Sequence, residues 1–296
     1  MFGLRHGWLA GQMYETAYNR AIICDAERDQ AKAEDRPLPP VHGIPFSVKD
    51  HVKVKGVASH WGYLNKLFEP AEEDNLAVKL LVADGAIPFV KSAVPSIPAL
   101  VCRNVFSGFA ENPHNFKRST GGSSAGEGGL VAAGCSPFGI GSDQSGSLRV
   151  PAAFCKLATL SPGRGRIADG VANQGLLTKD FLLAEFPQVV TLGPMAKCVE
   201  DCAAVMESWC RPGRYEQIPG MMRLPVTQSE VETLKGRKWR FAYFLTTGLV
   251  KPCPAVVNAV LSAKRILEAH GHTFVELEIP RIEEYAAAIA KAIFCD

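Results

Sequence analysis

The stretch STGGSSAGEGGLVAAGCSPFGIGSDQSGSLRVPAAFC, Ser119–Cys155, carries seven serines and nine glycines in 37 residues. A flexible linker has that composition but no apolar blocks. Here Leu130–Ala133 form one apolar block, and Leu148, Val150, Ala152, Ala153 and Phe154 form another. The segment therefore has to be packed, with many hydroxyls and little side-chain bulk. Ser124 and Glu127 have the spacing of a capping box, which predicts a glycine-bearing helix after Ser124.

Around this stretch, strand-like and helical patterns alternate. A helix is predicted over residues 12–34, followed by strand-like runs at 44–49 and 52–55. In PAEEDNLAVKLLVADGAIPFVKS, the acids after Pro70 suit a first helical turn. Gly85 suits its end, and a strand is expected at 86–91. Further helices are expected at 198–210, 254–270 and 282–294, with strands at 239–245 and 273–278 and a connecting loop over 211–229. The alternation predicts an α/β fold, a central sheet covered by helices on both faces.

With 47% hydrophobic residues the chain can bury a large core, and its net charge of +2 is too balanced for a nucleic-acid footprint. The basic run Lys235–Arg240 is short and leads into an apolar strand. Nine cysteines without a CxxC pair or zinc spacing read as buried free thiols in a reducing compartment. No basic, apolar leader opens the chain, and no window approaches the ~18 to 20 apolar residues of a membrane span. A cytoplasmic protein is expected, with peripheral membrane association left open.

The glycines at 121–129 could cradle a phosphate, but no GK[ST] follows, and Gly139-x-Gly141 lacks the third glycine of a dinucleotide loop. The elbow G-x-S-x-G of the α/β-hydrolases is absent as well. A serine nucleophile needs a base. None of the seven histidines has a partner pattern; His42 and His51, which flank GIPFSVKD, read as ordinary loop or strand-edge residues. A neutral lysine can replace histidine where burial lowers its pKa. Lys49 ends an apolar strand and suits that role, although pairing with Asp50 or solvation is an equally simple fate. Candidate hydroxyls lie at 119, 123, 124, 136, 142, 145 and 147.

Taken together, Lys49, Gly121-Gly122-Ser123-Ser124, Gly139-x-Gly141-Ser142-Asp143, Gly146-Ser147-x-Arg149-x-Pro151, Cys155 and the run LGPMAKCVEDC resemble the amidase signature family. Within it, EGGLVAAGCSPFGIGSD, GAIPFV and ILEAHGHTFVELEIP are most similar to the fatty-acid amide hydrolases. The resemblance implies a mixed sheet and a Ser–cisSer–Lys triad. Ser147 would be the nucleophile, Ser123 the bridging serine after a cis peptide, and Lys49 the base. The N–H groups of Gln144, Ser145, Gly146 and Ser147 would form the oxyanion hole, supported by Gly122, Ser124, Ser142, Asp143 and Arg149. Ile97, Leu100 and Val101 are candidate substrate-pocket residues.

The implied activity is hydrolysis of carboxylic amides, with acyl-chain lipid amides as one substrate class, through an acyl-enzyme. No cofactor or metal is implied, and no nucleic acid; a homodimer and peripheral membrane contact are compatible with it. The chain is expected to be one domain comprising the N-terminal portion of such an enzyme, with a catalytic core at 41–200 and the C-terminal part absent. An inactive truncated fragment and an amidase subunit of an amidotransferase are the alternative readings. Two departures stand out: Ser145 replaces a family glycine beside the oxyanion hole, and Lys156 replaces a glycine after Cys155, where it is expected to crowd a tight packing position.

Overall fold

The computed structural model describes residues 2–96, 102–163, 166–167, 190–214, 232–278 and 281–294. The chain packs as two compact units, Met1–Thr227 and Gln228–Asp296. Helix α1 (Phe2–Arg5) opens the first unit, and strand β1 (Leu9–Gln12) and helix α2 (Tyr14–Ala33) follow. The helix thus begins at Tyr14, and Gln12 belongs instead to a strand that pairs antiparallel with β3 (Ile87–Ser92).

Strand β2 (Pro45–Lys49) lies parallel to β3 on one side and to β8 (Phe138–Asp143) on the other. Between β3 and β8, two small antiparallel ladders pair β4 (Arg103–Asn104) with β5 (Gly108–Phe109) and β6 (Glu111–Asn112) with β7 (Asn115–Ser119). Strands β9 (Ala158–Thr159) and β10 (Thr191–Ala196) run antiparallel to each other, and β10 runs antiparallel to β8. The order β1-β3-β2-β8-β10-β9 makes a mixed six-stranded sheet, as expected of an α/β fold.

Period-two alternation along β2 decides which chemistry faces which layer. Phe46 and Val48 join the main apolar core, in which Val78 and Leu81 of helix α3 (Leu76–Ala83) meet Val205, Met206 and Trp209 of helix α6 (Val199–Trp209). Ser47 and Lys49 point to the other face, beneath helix α4 (Ala125–Ala132). That face is polar at its centre and apolar at its margins, where Trp8, Val90 and Leu130 cluster. Leu148 and, from helix α5 (Arg149–Cys155) that follows it, Ala152 flank it against Met195.

Two of the glycines explain how α4 lies so near the sheet. A Cβ on Gly126 would stand 2.3 Å from the Trp8 carbonyl oxygen and 2.4 Å from the Ala93 nitrogen. On Gly139 it would stand 2.7 Å from the Glu127 carboxylate carbon and 2.7 Å from Ser47 Oγ. Close backbone approach, more than backbone freedom, is what these positions require.

Several expectations give way to local hydrogen bonds. Residues 52–55 form no strand beyond an isolated bridge of Lys55 with Ala71. Helix α3 begins after the acidic run, because Asn75 caps it by accepting the Ala77 N–H at 2.9 Å. Asp74 instead accepts the Lys55 N–H at 2.8 Å. Ser124 does occupy the cap position of α4, but it makes no side-chain capping bond, so no capping box forms. Its hydroxyl turns to Ser142, and Glu127 is buried. The cysteines among the described residues are free, yet Cys135, Cys198 and Cys253 are exposed rather than buried.

In the second unit, β11 (Arg240–Tyr243) and β12 (Thr273–Glu276) form a parallel pair connected through α7 (Pro254–Ala269), and α8 (Ile282–Phe294) follows. Both strands are shorter than their apolar runs predict. Most of the predicted loop at 211–229 lies outside the described residues. Among the described residues no helix is long and apolar enough to cross a membrane.

Lys156 does not crowd a packing position: it is exposed and caps α5 in the left-handed region at φ 57°. A side chain with a Cβ costs roughly 1–2 kcal/mol there. Lys156→Gly is accordingly expected to stabilise the chain by about 1 kcal/mol, read as a raised midpoint in a urea melt. An unchanged or lowered midpoint would contradict the strain assigned to this cap.

Candidate active site

Strand β2 delivers the Lys49 side chain into the sheet–α4 layer, where the residue is 1% exposed. Its Nζ donates to Ser123 Oγ at 2.9 Å and to Ser142 Oγ at 2.8 Å. Burial lowers the lysine pKa to about 7, against the opposing pull of Asp143 and Glu127. A neutral amine bonded to a serine hydroxyl is the form that can act as a base. Ser123 immediately precedes the cap of α4, and the Gly122–Ser123 peptide bond is cis. Ser124 Oγ donates to the Ser142 carbonyl at 3.3 Å and accepts the Ser142 N–H at 3.4 Å. These bonds tie the start of α4 to β8.

Asp143 ends β8 and organises the loop that follows. Its carboxylate accepts the Gly146 N–H at 2.7 Å and the Leu148 N–H at 3.1 Å. Arg149 clamps it through Nε at 3.0 Å and Nη2 at 2.9 Å. Burial alone would raise the Asp143 pKa, but Arg149 and the two N–H donors outweigh it and bring the value down to about 2. The carboxylate is thus a fixed anion at neutral pH, and the loop is shaped around it.

Gly146 takes φ 127°, a conformation suited to glycine. Its N–H, one of the four expected of an oxyanion hole, donates to the Asp143 carboxylate in this structure. The N–H groups of Gln144, Ser145 and Ser147 make no hydrogen bond among the described residues. Ser145 is not among the non-glycine residues at positive φ, so its Cβ introduces no left-handed strain.

Ser147 is half-buried and sits just before α5. Its carbonyl accepts the Ser124 N–H at 3.1 Å, which sets it beside the Ser123–Ser124 turn. No side-chain hydrogen bond joins Ser147 to Ser123. The geometry links Lys49 to Ser123 directly and holds Ser147 next to them through the backbone; catalytic hydrogen bonds commonly tighten only when substrate is bound. Ile97, Leu100 and Val101 lie outside the described residues.

Sequence reasoning missed the polar layer behind the lysine. Glu127 is fully buried and accepts a hydrogen bond from the Ser47 hydroxyl. Burial raises its pKa to about 7, partly opposed by the Ser47 and Ser92 hydroxyls and by Lys49 and Lys91. The available signal was alternation: Ser47 and Lys49 share one face of a central strand, and a buried polar face needs a polar partner above it.

His51 departs from its loop-or-edge expectation. It is buried against Trp61 at 4.6 Å between ring centroids, and neither ring nitrogen has a hydrogen-bond partner. Burial and the cations Lys49 and Lys91 hold its pKa well below the usual histidine range. His42 bonds Glu27 at 2.9 Å. Cys24, Glu27 and His42 bring potential ligand atoms within 4.8 Å of one another, but Glu27 is already held by Arg20 as well as by His42.

The family model described as Amidase matches residues 11–296. Vitamin D3 hydroxylase-associated protein of Gallus gallus is 34% identical over 258 residues, covering 86% of this chain and 54% of that protein. Fatty acid amide hydrolase 1 of Caenorhabditis elegans is 33% identical over 282 residues, covering 93% of this chain and 48% of its own length. A solved structure of a fatty acid amide hydrolase superposes with a TM-score of 0.78 at 27% identity, over 94% of this chain and 48% of that one. The chain therefore spans about half the length of these relatives.

The lowered Lys49 pKa has a consequence that needs no substrate. Between about 7 and the ordinary lysine value, the unfolded chain binds a proton that the folded chain does not. Stability from this group therefore rises with pH across that window, and its burden is greatest below about 7. Lys49→Met should raise the urea midpoint relative to the parent more at pH 6 than at pH 9. A pH-independent difference would place the lysine in an ordinary, solvated state.

Proposed function

The chain belongs to the amidase family, and from that premise we propose that it is built to cleave carboxylic amides through Ser147, Ser123 and Lys49. The observation that carries this reading is the buried Lys49 amine, 2.9 Å from Ser123 Oγ and with a pKa lowered to about 7. Neutral Lys49 takes the Ser123 proton as Ser123 takes that of Ser147. Ser147 Oγ then bonds to the amide carbon, and the carbonyl oxygen gains the electron pair. The N–H groups of Gln144, Ser145 and Ser147 meet that developing charge, while Asp143 and Arg149 hold the loop in shape. Return of the proton through Ser123 releases the amine and leaves an acyl-enzyme. Water, activated by the same pair, then frees the acid.

Fatty-acid amides are the substrate class we favour, because the sequence motifs and two of the relatives named above point in that direction. The donor set Gln144, Ser145 and Ser147 does not depend on that choice, since every carboxylic amide presents the same oxygen.

A serine-directed fluorophosphonate should label Ser147, visible as one added mass that Ser147→Ala abolishes. Labelling should rise with pH through about 7 as Lys49 loses its proton. It should fall at least about 100-fold in Lys49→Ala, as general-base catalysis is worth ~10²–10⁴. With competent turnover, a long-chain primary amide should be hydrolysed faster than acetamide at equal concentration. Equal labelling of the parent and Ser147→Ala would reject the nucleophile. Faster hydrolysis of acetamide would reject the lipid-amide assignment alone.

A further inference from the structure

The reaction assigned to Lys49 leaves unused the acid buried behind it. Glu127 stands on α4 one turn beyond Ser123, with none of its surface exposed. Its Oε2 accepts the Ser47 hydroxyl, and Ser47 lies two residues before Lys49 on the same face of β2. The buried Ser92 hydroxyl of β3 and the second carboxylate oxygen of Glu127, Oε1, have no hydrogen-bond partner. Across from Ser47, the ladder places Gly139, and a Cβ there would strike the carboxylate. The sheet thus contains a recess one side chain wide, occupied by an acid where an apolar residue would cost nothing to bury.

Resting on the hydrolase reading above, we propose that Glu127 is a positioning residue for Lys49: held by Ser47 over Gly139, its charge governs when the base gives up its proton. The carboxylate never touches substrate. It acts through the lysine by favouring the ammonium form that arises when Ser147 loses its proton. Removing the charge makes the amine easier to deprotonate and, in the same stroke, a weaker base.

Other charged groups surround the pair. Asp143, at the end of β8, also favours the ammonium form, but Arg149 is clamped to it. His51, just after β2, is held neutral by burial beside Lys49 and Lys91. Lys91 of β3 opposes protonation of Glu127, and its Nζ donates to the Val52 carbonyl and to Ser59 Oγ. Asp50 acts on Lys91. Glu127 and Asp50 are the fully buried carboxylates of this set; Glu127 is the one that acts on Lys49, whereas Asp50 acts on Lys91.

The test is a direct titration of Lys49 in the full 296-residue chain, with lysine 13C-labelled at Cε and followed by NMR. The signal is identified by its loss in Lys49→Met. In Glu127→Gln the Lys49 midpoint should fall by about one pH unit, and the acid limb of Ser147 labelling by fluorophosphonate should move down with it. Ser47→Ala leaves the acid in place but removes the hydrogen bond that favours its charged form, so it should give a smaller fall in the same direction. That variant decides the matter alone if Glu127→Gln does not fold.

A Lys49 midpoint that stays within about 0.2 unit, or rises, in the variants that fold would overturn the proposal. A falling midpoint with no labelling of Ser147 would count against the hydrolase reading and leave the link between Glu127 and Lys49 standing.

Discussion

Everything near the serines follows from keeping one primary amine out of water. An ammonium group is costly to bury, so a lysine 1% exposed is held by whichever of its two protonation states the surroundings favour. Here the surroundings are two hydroxyls in hydrogen-bond contact and two acids at longer range. The hydroxyls suit either state, whereas the acids limit how far the pKa can fall. Balance between these influences leaves the lysine titrating near neutrality instead of being permanently neutral.

That balance depends on β2. A strand with alternating faces can bury Phe46 and Val48 in an apolar core while placing Ser47 and Lys49 in a polar layer on the opposite side. A helix bearing large side chains would stand too far from the sheet for its first residues to reach that layer. Gly126 removes the obstacle, and bonds between Ser124 and Ser142 fix the remaining separation. Asp143 then fixes the next turn with N–H groups from one side and Arg149 from the other.

The alternating α/β plan and the packed character of residues 119–155 were legible in the sequence itself, whereas the pairing of Lys49 with Ser123 was implied only by the resemblance to the amidase signature family. The first two depend on local periodicity and composition. What escaped depended on partners far along the chain. The Glu127 carboxylate looked like a helix cap because Ser124 lies three residues before it, yet Ser47 claims it across 80 positions. Residues 52–55 read as a strand from composition, but Lys55 finds Asp74 and Ala71 instead of a continuous ladder. Local pattern names the groups available for bonding; the tertiary structure decides which of them are taken.

The close seat of α4 also limits how a site like this can diversify. Ser123 and Ser124 stand immediately before the helix whose underside carries Gly126, so a bulkier residue on that underside displaces the serines along with the helix. Packing and chemistry there form one inherited unit that mutation cannot adjust piecemeal. Novelty has freer ground at exposed positions such as Ser145, where a side chain is admitted on the loop after β8 without lifting a helix from its sheet. Variation can therefore accumulate around the rim while the helix keeps its seat against the sheet.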